Sequence, residues 1–161
     1  MSRQILSAQQ KSRPLDAWAR LLRGHAAAKR GLSAQLQREH GLTVSDYEAL
    51  LLLAHAENGQ LRRVDLADAL LLTPSGVTRL LDGLERAGYV QKGTCSTDAR
   101  VTYAVITERG REKLEAASRS HVRAVAQLFE ERYSRAELAT LTELLGRLPE
   151  AAGATGDECA A

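Results

Sequence analysis

The chain has 161 residues, 44% of them apolar but only 4% aromatic, and a formal net charge of +2. That length supports one domain with a core filled mainly by leucine and alanine, which favours helices, while the small charge excludes any argument for nucleic acid from bulk electrostatics. No apolar run reaches the roughly 18 residues of a membrane span and no signal-peptide block opens the chain, so a cytoplasmic protein without a membrane partner is expected.

Residues 1–13 are polar, carry Arg3, Lys11 and Arg13, and read as a flexible arm that ends at Pro14. From Leu15 to about His40, Leu15, Trp18, Leu21, Leu22, Ala26, Leu32 and Leu36 keep helical spacing, with Gly24 and Gly31 weakening the middle and Gly41 as the stop. A second helix is expected over Asp46 to Ala56. Its Leu50–Leu53 run is apolar all round, which places it centrally. After the Asn58-Gly59 turn, Val64 to Leu71 makes a short helix with Leu66, Ala67 and Leu70 inward, and Leu72-Thr73 supplies the turn of a helix-turn-helix.

The next helix is the best-defined stretch of the chain. Thr73 suits the N-cap, Pro74 the first helical position and Gly88 the stop. Val77, Leu80, Leu81 and Leu84 form one apolar stripe, which leaves Ser75, Gly76, Thr78, Arg79, Asp82, Gly83 and Arg86 outward. Hydroxyls and amides at a helix front reach phosphates, and arginine pairs bidentately with guanine, so this face suits a DNA major groove. Gly76 would let the backbone come close. Asp82 either reads cytosine or pairs with Arg86.

Two β-rich runs, Tyr89–Thr94 and Val101–Ile106, flank a polar turn from Cys95 to Arg100, which predicts a hairpin. A helix followed by a hairpin is a winged helix in outline. Arg100 at the tip suits a narrow minor groove, with Asp98 two residues away to orient its guanidinium. Lys92 is the cation expected to reach a phosphate from the first strand.

Thr107 caps a long helix starting at Glu108, with Leu114, Ala117, His121, Val122, Val125, Leu128 and Phe129 in its stripe. Ser134-Arg135-Ala136-Glu137 is a capping box for a last helix carrying Leu138, Leu141, Leu144, Leu145 and Leu148, with Pro149 as its stop and a disordered tail over 149–161. These end helices carry more apolar surface than a small winged helix can bury. A homodimer is the economical answer, and two-fold symmetry then predicts a pseudo-palindromic double-stranded DNA site.

In this order and spacing, Leu42-Thr43-Val44-Ser45, Leu66-Ala67-Asp68-Ala69-Leu70, Val77 through Val90, Asp98-x-Arg100 and Ile106-Thr107-x-x-Gly110 resemble the MarR (multiple-antibiotic-resistance regulator) family. The likeness extends over about residues 15 to 148. It implies a mainly α fold with a small β-hairpin wing, in which segments 14–41 and 107–148 dimerise and 42–106 forms the winged helix-turn-helix. It further implies that Gln60-Leu61-Arg62 is a short strand joining the wing sheet, with Arg62 and Arg63 near the mouth of the DNA-binding face. The function implied is a transcriptional regulator, a repressor released by a small organic effector such as a phenol or aromatic acid. The wing departs from the family pattern, since Lys92-Gly93-Thr94-Cys95-Ser96-Thr97 is nearly uncharged where members carry more basic residues.

For an effector anion the candidate groups are Arg20 and His25 on the first helix, with Tyr47 and His55 on the second. Redox control through Cys95 is the other regulatory reading, whereas Cys159 lies in the tail. The histidines show no ligand-spaced pair and the two cysteines no neighbouring partner, so neither a metal nor another cofactor is expected. A nucleotide loop, a nucleophile elbow and a clustered acid pair are all lacking, which argues against an enzyme. A winged helix used for protein contacts is the competing class, and it predicts apolar anchors on the outer face rather than Ser75, Thr78 and Arg79.

Overall fold

The structure, a computed structural model, describes residues 13–94 and 101–148. Six α-helices and a three-stranded sheet follow one another among them: α1 (Arg13–His40), α2 (Val44–His55), a 3-10 turn, β1 (Gln60–Arg62), α3 (Arg63–Ala69), α4 (Pro74–Arg86), β2 (Val90–Thr94), β3 (Thr102–Ile106), α5 (Glu108–Glu130) and α6 (Arg135–Leu145). This is the expected mainly α architecture with a small sheet. No helix among the described residues is long and apolar enough to cross a membrane.

Helix α2 is the hub. Its Leu50 and Leu53 are fully buried, and they meet Leu36 of α1, Leu66 of α3 and Leu81 of α4 in one core. The helix starts two residues before the expected Asp46, because Thr43 and Asp46 close a reciprocal capping box. The sheet order is β1-β3-β2 with both pairings antiparallel, so the strand after the wing lies in the middle and Gln60–Arg62 is the third strand.

The ends of α3 and α4 share one geometry. Gly88 at φ 76° closes α4 in a Schellman turn, with Tyr89 N–H donating to the Leu84 carbonyl and Gly88 N–H to Glu85. Helix α3 closes the same way, with Leu72 N–H donating to Ala67 and Leu71 N–H to Asp68, but Leu71 occupies the left-handed position at φ 53°. Helix α6 ends at Leu145 with Gly146 as its cap, before the Pro149 expected to stop it. Leu148 therefore lies beyond the regular helix.

Candidate nucleic-acid interface

Helix α4 is built as the sequence reads. The Thr73 hydroxyl accepts from the Gly76 N–H at 3.1 Å, and Pro74 takes the first helical position. Val77, Leu81 and Leu84 are buried against the core, while Ser75, Thr78, Arg79, Asp82 and Arg86 are exposed. Anchoring on one side thus presents a polar front on the other.

Each candidate on that front has a defined local setting. Thr73 and Ser75 hydroxyls lie 3.2 Å apart at the helix entrance, and Thr78 Oγ1 donates to the Pro74 carbonyl. Arg79 Nε reaches back 3.4 Å to the Ser75 carbonyl, leaving its guanidinium on the exposed face. Gly76 is half-buried, and a Cβ there would lie 3.2 Å from Thr73 Oγ1 and 3.6 Å from Leu72 Cβ. Its lack of a side chain thus serves the turn of its own chain. Of the two readings of Asp82, the Arg86 contact is made, but to the main chain: Arg86 Nε donates to the Asp82 carbonyl at 3.1 Å.

Behind this front, Arg62 is committed to Asp65 through two hydrogen bonds of 2.6 and 3.0 Å, and so braces the start of α3. Lys92 on β2 lies 3.4 Å from Glu85 on α4. Sequence reasoning passed over Glu85. The signal for it was strand alternation, which puts Lys92 on the same face as buried Val90 and hence towards α4. Cys95, Asp98 and Arg100 at the wing tip, and Cys159 in the tail, lie outside the described residues.

The effector candidates do not form one cluster. Arg20 and His25 are exposed on the first half of α1, and His55 is exposed at the end of α2, where its Nδ1–H donates to the Leu51 carbonyl. Only Tyr47 enters a shared polar junction. It is buried, its hydroxyl is 3.0 Å from Ser118 Oγ of α5, and its ring lies 4.5 Å from that of His121. Burial holds His121 below the ordinary histidine pKa, partly opposed by nearby Glu48. Beside it, the Ser120 hydroxyl lies 2.7 Å from His40 Nε2 and accepts from Gln35 Nε2 of α1. Ser118 and Ser120 were missed, and His121 was read only as a member of the α5 stripe, although a histidine among apolar positions is itself a signal for a polar contact.

An apolar-anchored helix with a hydroxyl- and arginine-bearing front, followed by a three-stranded wing sheet, defines a winged helix-turn-helix of the DNA-reading kind. The family model described as MarR family matches residues 40–101. Among curated relatives, the repressor YetL of Bacillus subtilis is 31% identical over 110 residues, spanning 68% of this chain and 65% of that protein. The regulator MhqR of the same organism is 30% identical, spanning 68% of this chain and 74% of its own length. Sco3205, a MarR family regulator from Streptomyces coelicolor solved in complex with DNA, superposes with a TM-score of 0.76 at 27% identity, covering 90% of this chain and 88% of Sco3205. The chain belongs to the MarR family of DNA-binding transcriptional regulators.

Proposed function

We propose that this regulator acts as a homodimeric repressor on a pseudo-palindromic operator, with Ser75, Thr78 and Arg79 of α4 as its reading residues. The observation that carries the reading is the division of α4 into a buried Val77/Leu81/Leu84 anchor and an exposed hydroxyl and guanidinium front. Thr73, Ser75 and Gly76 form the entrance that approaches phosphate, with Asp98 and Arg100 contributing from the wing and Lys92 able to join them on leaving Glu85. The repressor role is supported by the likeness to YetL.

The dimer is supported by apolar side chains left uncovered at both ends of the chain. Leu15, Trp18 and Leu22 on α1, with Leu144, Leu145 and Leu148 at α6, are all exposed in the single protomer. A groove of about 630 Å³ between α1 and the end of α5, lined by Gly24, Ala28, Gly31, Phe129 and Tyr133, offers a seat for a second copy. Two α4 helices related by a two-fold axis would enter major grooves about 34 to 36 Å apart.

In this reading an effector that releases DNA acts at the junction of α2 and α5, where Tyr47, His121 and Ser118 meet. A small organic acid or phenol suits its mix of ring and hydroxyl surfaces. Arg20, His25 and His55 then lie outside its immediate contacts.

Fluorescence anisotropy against the gene's own upstream duplex and a scrambled duplex, at two salt concentrations, tests the reading. Preference for the upstream duplex is the expected result. Equal binding to both would reduce the protein to sequence-independent DNA binding at the tested site, and binding to neither would favour a protein-contact winged helix.

A further inference from the structure

We infer that Glu85 sets the strength of sequence-independent DNA attraction by holding Lys92 away from the phosphates. The inference rests on reading α4 and the following hairpin as the DNA-facing surface. It goes beyond that reading by assigning a role to a residue that touches no DNA.

Lys92 is the single cation between Arg86 and Arg100 in the sequence, so control of this one side chain governs a large share of the wing's charge. Strand alternation turns it to the face shared with buried Val90, and its ammonium lies 3.4 Å from the Glu85 carboxylate. The lysine is 58% exposed and the glutamate 22%, so the anion is the better-held member and the cation is the one within reach of solvent and phosphate.

The position of Glu85 is itself informative. It occupies the last turn of α4, where the helix dipole disfavours a carboxylate. Lys92 compensates that misplaced charge. A lysine already neutralised by a carboxylate must exchange partners to meet a phosphate, and it adds little counterion release when DNA binds. The freed carboxylate would moreover remain near the backbone and repel it. The pair therefore lowers the sequence-independent part of the attraction while leaving the α4 front untouched. An exposed ion pair is weak enough for such an exchange to stay reversible.

The test is the salt dependence of binding to a fluorescein-labelled random-sequence duplex, measured for the full chain, Glu85→Gln, Lys92→Gln and the double variant. Glu85→Gln keeps the size of the side chain and removes the charge. It should bind more tightly and steepen the log–log salt slope by about 0.9, equivalent to an additional three- to fourfold loss of affinity between about 50 and 200 mM salt. The same change made in the Lys92→Gln background should give little of that gain. Equal gain in both backgrounds would overturn the inference, because Glu85 would then act by its own charge and not through Lys92. No gain on wild-type Lys92, with the wild-type protein binding normally, would overturn it as well. A wild-type protein that bound no duplex at any salt would overturn both this inference and the DNA-facing assignment beneath it.

Discussion

The hydroxyl of Thr107 donates to the carbonyl of Gly88 at 2.7 Å and accepts from the Gly110 N–H at 3.0 Å. One side chain thereby ties the exit of α4 to the start of α5, and the Thr107 N–H reinforces the tie by donating to the Tyr89 carbonyl. Thr107→Val keeps the branched shape but removes both hydroxyl bonds, and should cost about 1–3 kcal/mol in urea unfolding. Thr107→Ser should retain most of the stability. A larger loss in Thr107→Ser than in Thr107→Val would show that the methyl group, rather than the hydroxyl, holds the joint.

Leu71 presents the opposite case, a side chain placed where the backbone prefers none. A left-handed conformation costs an ordinary residue about 1–2 kcal/mol, and at 80% exposure Leu71 recovers little by burial. Leu71→Gly should raise the thermal midpoint, with a net gain of up to about 1 kcal/mol once the greater freedom of glycine in the unfolded chain is subtracted. Leu71→Ala keeps the strain and should give no such rise.

Stability should also fall on mild acidification because of His121. Burial, opposed in part by Glu48, puts its folded pKa below the ordinary 6.5. Above 6.5 the ring is neutral folded or unfolded, and its contribution is fully present. As pH drops through 6.5 the unfolded chain takes up the proton first, so stability declines until the folded pKa is reached and then levels. Urea midpoints measured from about pH 7.5 to 5 should show this decline, and His121→Gln should flatten it.

Arg79→Ala removes a side chain that makes one long contact to the Ser75 carbonyl and otherwise faces outward. Its thermal midpoint should be close to that of the parent. Discrimination between the operator and a scrambled duplex should fall by about 1–3 kcal/mol. Unchanged discrimination would move the reading face elsewhere on α4.

Local signals made most of the fold legible. Thr73-Pro74, Thr107 and Ser134-x-x-Glu137 all cap the helices they were expected to cap. The apolar stripe of α4 is buried at Val77, Leu81 and Leu84, as its spacing requires. Boundaries slipped where a weaker local device won, as with the Thr43–Asp46 box that starts α2 early and the Gly146 cap that ends α6 before Pro149. The polar junction between α2 and α5 was harder to read because its contacts join residues distant in sequence. Tyr47 meets His121 only after α2 packs on α5, a pairing that the periodicity of neither helix reveals, whereas Arg20, His25 and His55 lie outside that junction.

The strand order has a mechanical consequence. With β3 central, the wing hangs from the strand that runs directly into α5, and α5 is the helix that packs along α1. Thr107 makes this passage a stiff elbow instead of a hinge. A tilt of α5 against α1 would therefore swing the wing and the tail of α4 together, and in the proposed dimer it would change the span between the two copies of α4 without reshaping either one.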